Sequence, residues 1–475
     1  MPLTITLDAT ESEPLFLQIA ARVRSAIATG HVTPGARLPS TRALAAQLAV
    51  ARGTVDAAYA LLTGEGAIVT KRSAGTVVAG TAKERIVQTA PTPFMFEPSA
   101  TERSGPLPLQ MGLPALDAFP RKLWSNLTVQ AARSMRATDL AGVNPSGLPE
   151  LRQAVAAYVG VARGIQCSPA QVLITAGYQG ALSLVRAVLL KPGDPVWMED
   201  PGYLLTRQAL AASGARVVPI RVDQEGLRVA SGITAAPKAK LAVVTPTHQC
   251  PTGVAMSLPR RLALLAWASE ADAWVLEDDY DSEFRYTGRP LPSLKSLDRG
   301  HRVLYAGTFS KVLTPALRLG YLVVPPELVE AFVQAARLLT MGPPVLEQTV
   351  VAAFMQKGHF PRHIRRMRLL YAARRQALAT ALETTFGPRA TIEVAAGGMH
   401  LIARFPGADD DTALARRALA ASLAPSALSA MTMAHDQGQA LLLGFTNVDV
   451  ADAPDVAQRL AQVVGPGMGS ASAQL

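Results

Sequence analysis

Apolar side chains recur at four-residue steps in "PLFLQIAARVRSAIATG", where Leu15, Ile19, Val23 and Ile27 share one face. That spacing predicts an amphipathic helix, and Gly30 just beyond it suits a C-terminal cap. The next segment, "HVTPGARLPSTRALAAQLAV", sets a Pro34-Gly35 turn ahead of Ser40. It predicts an N-capped second helix that carries Leu44 and Leu48. After a short break at residues 49–51, "RGTVDAAYALLTGEG" turns Val55, Tyr59 and Leu62 to one side and predicts a third helix. Two β-branched runs, "AIVT" and "TVVA", flank "KRSAG" and predict a small hairpin. Three helices, the last two separated by a few residues, and a hairpin compose a winged helix-turn-helix, an α+β unit over residues 12–80.

Between residues 108 and 465 the pattern changes. Apolar runs such as "QVLIT", "PVWMED", "LAVVTPT", "AWVLEDD", "RVLYAGT" and "GYLVVP" alternate with long amphipathic stretches. A mainly parallel α/β sheet covered by helices is the expected result. Residues 81–107 follow neither period, are rich in proline and Ser/Thr, and read as a linker. The chain is thus expected to be multidomain, and its final "GPGMGSASAQL" reads as a frayed tail.

Composition narrows this picture. A length of 475 residues exceeds one ordinary core, and 49% apolar against 17% charged residues argues for folded domains. Cys167 and Cys250 are too few for a disulfide framework, and no Cys/His spacing predicts a metal site, so a reducing cytoplasm fits. The start, "MPLTITLDATESEP", has no basic stretch or apolar core, so no signal peptide is expected. Apolar stretches break well before twenty residues, which argues against a membrane span. The net charge of +10 is spread out: residues 1–80 hold seven Lys/Arg against five Asp/Glu, and the remainder holds 39 against 31. Bulk charge therefore does not locate a nucleic-acid face, and particular residues must.

In the helix-turn-helix those residues are Arg52 and Thr54, which open the third helix, and Arg42 at the start of the second. Arg52 is placed for a guanine or phosphate contact, and Arg42 for backbone phosphate. The run from "PLFLQIAARVRSAI" to "AGTVVA" closely resembles the GntR family of bacterial regulators. The resemblance implies a DNA-binding domain whose wing glycine, here Gly75, approaches the minor groove. Ala51 stands where relatives usually have Ser or Thr, and Asp56 where some have a second basic residue. The wing "KRSAGT" departs from the commoner "RPGSGT", and Lys71 and Arg72 are candidates to compensate there.

A second constellation surrounds "GTFSKVLTPALRLGY". A pyridoxal 5'-phosphate site needs a lysine for the Schiff base, an acid facing the pyridine nitrogen and groups to hold phosphate. Lys311 follows one apolar strand, and Asp278, Asp279 and Tyr280 end another, where α/β sheets place ligand chemistry. Thr308 and Arg318 are placed to reach a phosphate. These blocks closely resemble fold-type I aminotransferases over residues 108–465. The resemblance implies that Lys311 carries the cofactor, Asp278 pairs with the pyridinium nitrogen and Tyr280 bonds the phenolic oxygen. It places Thr308, Ser310 and Arg318 around the phosphate, with backbone amides of Gly177, Tyr178 and Gln179 from "TAGYQGALSLV". It also implies that Tyr203 of "EDPGY" stacks on the ring. In "THQCPTG" Cys250 replaces the asparagine of many aminotransferases, so Tyr280 serves the phenolic oxygen alone or with His248 or Gln249.

In this order the modules are similar to the MocR subfamily of GntR-type regulators. That resemblance implies a pyridoxal phosphate-dependent transcriptional regulator that binds double-stranded operator DNA as a head-to-tail homodimer. Its aminotransferase-like domain would sense a small amine or amino-acid effector, or the cofactor itself, at Lys311. The alternative is a working aminotransferase with an appended DNA-binding module. Residues 430–448 hold no arginine to clamp a substrate carboxylate, and Gly142 stands roughly where many relatives have an aromatic. Both departures argue against full turnover on an α-amino acid.

Overall fold

The computed structural model describes residues 7, 13–71, 75–79, 106–142, 144–288, 291–407 and 410–465. The chain divides into two compact units, residues 1–96 and 97–475. Nearly all of the expected linker, like the C-terminal tail, lies outside the described residues, as do Arg72 and the side chain of Lys71.

In the first unit α1 (Leu15–Ala28), α2 (Thr41–Leu48) and α3 (Arg52–Gly64) precede an antiparallel hairpin of β1 (Ile68–Lys71) and β2 (Gly75–Val78). The apolar spacing produces its core: Ile19, Val23, Leu44, Val55, Leu62 and Ile68 are fully buried, with Tyr59 nearly so. Leu15, the first residue of the α1 stripe, remains 38% exposed because the core ends before it. Truncating Leu44 to alanine in so closed a core would cost about 2–5 kcal/mol. Ser40 caps α2 by accepting from the Ala43 amide at 3.2 Å. Ala49 then takes left-handed backbone (φ 54°), and the chain re-enters helix at Arg52. The Tyr59 hydroxyl donates to the Pro39 carbonyl at 2.9 Å, tying α3 to the approach of α2.

The second unit is built on eight strands: β3 (Val172–Thr175), β4 (Pro195–Asp200), β5 (Arg216–Asp223), β6 (Gly226–Leu227), β7 (Leu241–Val244), β8 (Trp274–Asp279), β9 (Val303–Thr308) and β10 (Gly320–Val323). Their order is β3-β10-β9-β8-β7-β4-β5-β6. Each apolar run quoted from the sequence is one of these strands. Leu173 packs into one core and Val172 and Ile174 into another, as alternation across a sheet covered on both faces requires. Within the otherwise parallel sheet, β10 runs antiparallel to both β3 and β9, and β6 antiparallel to β5. Glycines permit the β9–β10 approach: a Cβ on Gly307 would lie 2.3 Å from the Tyr321 ring.

A second, antiparallel sheet was not singled out by the sequence pattern. It orders β11 (Thr391–Glu393), β12 (His400–Arg404), β13 (Ser426–Ala427) and β14 (Leu441–Gly444) as β11-β12-β14-β13. The stretch without arginine supplies β14, which is buried throughout. Among the described residues no helix is long and apolar enough to cross a membrane, and no His/Cys/Asp/Glu group is arranged to hold a metal.

Candidate functional site

The C-terminal ends of the central strands open into a cavity of about 290 Å³. Strand alternation decides which of two adjacent acids faces it. Asp278 lines the cavity, whereas Asp279 pairs with Arg163 at 2.7 Å and accepts from the Tyr305 hydroxyl at 2.6 Å. Arg163 and Asp279 are both buried, and removing either would strand the other's charge at about 3–5 kcal/mol. Burial, then the nearby Asp279 carboxylate, pushes the Asp278 carboxyl well above its ordinary range; Lys311 opposes this, and Asp281 and Glu199 add to it. Such a carboxyl is suited to a cationic N–H partner, because only a close positive charge offsets its desolvation.

Lys311 lies beyond β9 and donates through Nζ to the Gly112 carbonyl at 2.8 Å. Desolvation pushes its ammonium pKa down, against the pull of Cys250, Asp281 and Asp278. Gly112 stands there at φ +74°, backbone that disfavours any other residue, and a Cβ would displace Nζ from its carbonyl. Tyr203, the residue before helix Leu204–Ala212, and Tyr178 face the same space with ring centroids 6.4 Å apart. Burial raises the pKa of both phenols, so both remain protonated donors. Burial likewise raises the Cys250 thiol, which lines the cavity as a neutral group.

The anion-holding end begins at helix Gly177–Leu189, whose first amides have no partner inside the helix. Gly177 starts it at φ +69°, and open space lies where its Cβ would be. Thr308, Ser310 and Arg318 complete this end of the lining. Arg318 sits in left-handed backbone (φ 51°), a conformation that costs a residue with a Cβ about 1–2 kcal/mol. The Gln179 Nε2 is buried without a hydrogen-bond partner among the described residues. An orphaned amide, a helix N-terminus, two hydroxyls and a guanidinium form a donor set that fits a phosphate, while Lys311 and Asp278 fit an aldehyde and a ring nitrogen. The residues present therefore fit pyridoxal phosphate.

All ten residues that the sequence proposes for the cofactor line this one cavity: Gly177, Tyr178, Gln179, Tyr203, Asp278, Tyr280, Thr308, Ser310, Lys311 and Arg318. Gln249 does not join them. Its Nε2 donates to the Pro201 and Cys250 carbonyls and its Oε1 accepts from Thr252, so it holds the turn together. Sequence reasoning passed over His400, Met399 and Met431, which the second sheet and the loop before β14 bring to the lining.

In the first unit, Arg42 is exposed on α2, and Arg52 and Thr54 stand in the first turn of α3. Arg52 leans on Asp56 at 3.5 Å, with both side chains largely in solvent. Gly75 begins β2 at φ +73°, and the Arg37 guanidinium lies 3.3 Å from where its Cβ would be. Arg37 was not singled out from the sequence; it meets the wing only because residue 37 bridges to Val77.

Fold and site together define a class: a winged helix-turn-helix DNA-binding module joined to a pyridoxal phosphate-binding domain of the aminotransferase type. Residues 15–78 match the bacterial regulatory proteins of the gntR family, and residues 121–433 match aminotransferase class I and II. The chain is 35% identical to the probable rhizopine catabolism regulatory protein MocR of Rhizobium meliloti, over 94% of this chain and 92% of that protein. It is 33% identical to the HTH-type pyridoxine biosynthesis transcriptional regulator PdxR of Corynebacterium glutamicum, over 84% and 85%. Kynurenine aminotransferase of Pyrococcus horikoshii superposes with a TM-score of 0.69 at 30% identity, over 76% of this chain and 91% of that one. The chain belongs to the MocR-type family of transcriptional regulators.

Proposed function

We propose that this protein is an effector-gated, cytoplasmic transcriptional regulator in which the Lys311 cavity is the sensor and the winged helix is the output. The observation that carries this reading is the convergence of all ten cofactor candidates on one cavity, in a chain that also holds a helix-turn-helix. Pyridoxal phosphate supplies an aldehyde that captures amines and a ring that withdraws electrons. Lys311 offers an amine whose desolvation increases its neutral, nucleophilic fraction at a given pH. Asp278 holds the ring nitrogen, and Tyr203 covers the ring. Thr308, Ser310, Arg318 and the Gly177–Gln179 amides anchor the phosphate.

The signal is a small amine or amino acid, or the cofactor itself. A ligand changes DNA affinity only by its differential affinity for two arrangements of the protein. In a head-to-tail homodimer those arrangements would differ in how two winged helices address operator half-sites, with Arg42, Arg52, Thr54 and Gly75 at the DNA. The name of the Corynebacterium relative points to vitamin B6 metabolism, which supports the cofactor as a candidate signal.

The likeness to kynurenine aminotransferase favours a second reading, catalytic transamination, against which stands the lack of arginine across residues 430–448. Electrophoretic shifts on DNA upstream of the chain's own gene, with and without pyridoxal phosphate and candidate amines, test the regulator. A ligand-dependent shift is expected, and no DNA binding in any state would overturn it. Sustained multiple turnover with an amino donor and a keto acid would establish the enzyme instead.

A further inference from the structure

His248 is the residue of "THQCPTG" left without a purpose. Its Nδ1 lies 3.0 Å from the Tyr280 hydroxyl and 3.0 Å from Asp281 Oδ2. His248 is 7% exposed and Asp281 2%. The slot for the ring is built by two glycines. A Cβ on Gly398 would lie 2.1 Å from its Cε1, and one on Gly253 3.1 Å from its Nε2. Both glycines have φ between +70° and +90°, which disfavours any other residue. Two separate segments thus leave out side chains where this imidazole sits.

One nitrogen close to two oxygens poses a question of proton placement. A bare Nδ1 lone pair facing a buried carboxylate would be repelled, so the proton resides on Nδ1; it is directed to the Tyr280 hydroxyl, while Asp281 Oδ2, which makes no hydrogen bond among the described residues, stands beside it as a negative charge. The Tyr280 oxygen then accepts, and its own O–H is left to donate elsewhere. Tyr280 lines the cavity, so that donation is into the cavity. The other groups that face the phenol are the Asp281, Asp278 and Glu199 carboxyls and the Cys250 thiol; all raise its pKa, after burial itself, and it stays protonated. His400 sits 5.7 Å from the His248 ring, and burial holds it neutral, with a pKa lowered to about 4. Without the His248 N–H, the Asp281 carboxylate would compete for the Tyr280 proton and turn it from the cavity.

We propose that His248 and Asp281 are a positioning pair that fixes the Tyr280 hydroxyl as a hydrogen-bond donor to the phenolic oxygen of bound pyridoxal phosphate. The inference rests on the reading that Tyr280 faces that oxygen. The pair does through Tyr280 what the asparagine replaced by Cys250 would do directly. By donating to the phenolic oxygen, Tyr280 would stabilise its anionic form when the cofactor is bound and so lower the pH at which the loaded chain titrates.

The test is a pH titration of the visible absorbance of the full-length chain loaded with pyridoxal phosphate. Tyr280→Phe should raise the midpoint. His248→Leu should raise it by about one pH unit, a tenfold change in the protonation equilibrium. His248→Asn, which returns an N–H near the place of Nδ1, should move it back toward the parent. In a Tyr280→Phe background His248→Leu should add nothing. Should His248→Leu not fold, Asp281→Asn keeps the test and should shift the midpoint upward. A parental midpoint in His248→Leu or Asp281→Asn beside a shifted Tyr280→Phe would overturn the pairing alone. Additive shifts in the double variant would overturn it as well, because His248 would then act independently of Tyr280. A parental midpoint in Tyr280→Phe would overturn the reading of Tyr280 and the inference with it.

Discussion

Arg52 and Lys311 are both cations assigned to a ligand, yet the protein holds them in opposite ways. Arg52 leaves 69% of its side chain in water and shares its charge with Asp56, itself about half exposed. Lys311 is turned onto the Gly112 carbonyl, and desolvation depresses its pKa. An exposed cation is cheap to maintain, long in reach and sensitive to salt. A desolvated amine must be supported by the fold, and in return it is chemically poised before any ligand arrives. On the proposed function the DNA unit would recognise by charge and shape at a surface, and the large unit by covalent reactivity in a cavity.

Lys311→Ala should separate the two cations most strongly. The visible absorbance that depends on a link between Lys311 and pyridoxal phosphate should be abolished. General affinity for DNA, which resides in the exposed charges, should be unchanged in the same preparation. Next in size, Arg52→Ala should weaken operator binding by about 5- to 150-fold, the loss expected for one good base contact of about 1–3 kcal/mol. A fluorescence-anisotropy titration reads it. If Arg52 meets phosphate instead, the loss will be uniform across sequences and the salt slope will fall by about one. A smaller effect of opposite sign is expected for Asp56→Ala. It frees Arg52 and removes a negative charge beside DNA, so affinity should rise by about two- to fivefold at low salt, the scale of an exposed ion pair. Raising the salt should erase that gain but leave the Lys311→Ala loss intact.

The two units also differ in how far their sequences could be read. Four-residue apolar spacing locates α1, α2 and α3, because each buries one stripe in a shared core in which α1 and α2 both pack on α3. Six strands were legible as apolar runs, because a sheet covered on both faces requires them, and site residues follow their C-terminal ends. The reversed direction of β10 was not legible, since parallel and antiparallel buried strands have the same composition. Nor was the second sheet, two of whose strands span only two or three residues. The finer parts of the site depend on segments distant in sequence. Arg163 reaches Asp279 across more than a hundred residues, and the slot for His248 is completed by Gly398. The adjacent acids Asp278 and Asp279 show the limit: the apolar run makes both visible and the family resemblance singles out Asp278, but the physical reason, the register of β8, is seen only in the fold.

The finest contrast concerns two glutamates and the pH dependence of stability. Glu199, at the end of β4, accepts from the Thr245 hydroxyl at 2.5 Å and from Gln249 at 3.2 Å. Burial nevertheless pushes it up to about 7 from an ordinary 4.5. The folded protein thus holds this proton more tightly than the unfolded chain. Its stabilising contribution is complete below the unfolded value of about 4.5 and is lost as pH rises through about 7. Glu199→Gln is neutral at every pH, so the fall in melting temperature between pH 5 and pH 8 should be shallower than in the parent, by about 2 °C. Glu65 in the first unit is the mirror case, since its 2.7 Å hydrogen bond from exposed Arg24 holds it below its ordinary value. Its contribution is present above about 4.5 and is lost as pH falls, and salt screens it. Glu65→Gln should therefore lower the first unit's stability slightly at neutral pH and not at pH 3. If both variants shifted melting in the same direction with pH, the division between a surface that recognises and a cavity that reacts would not extend to their electrostatics.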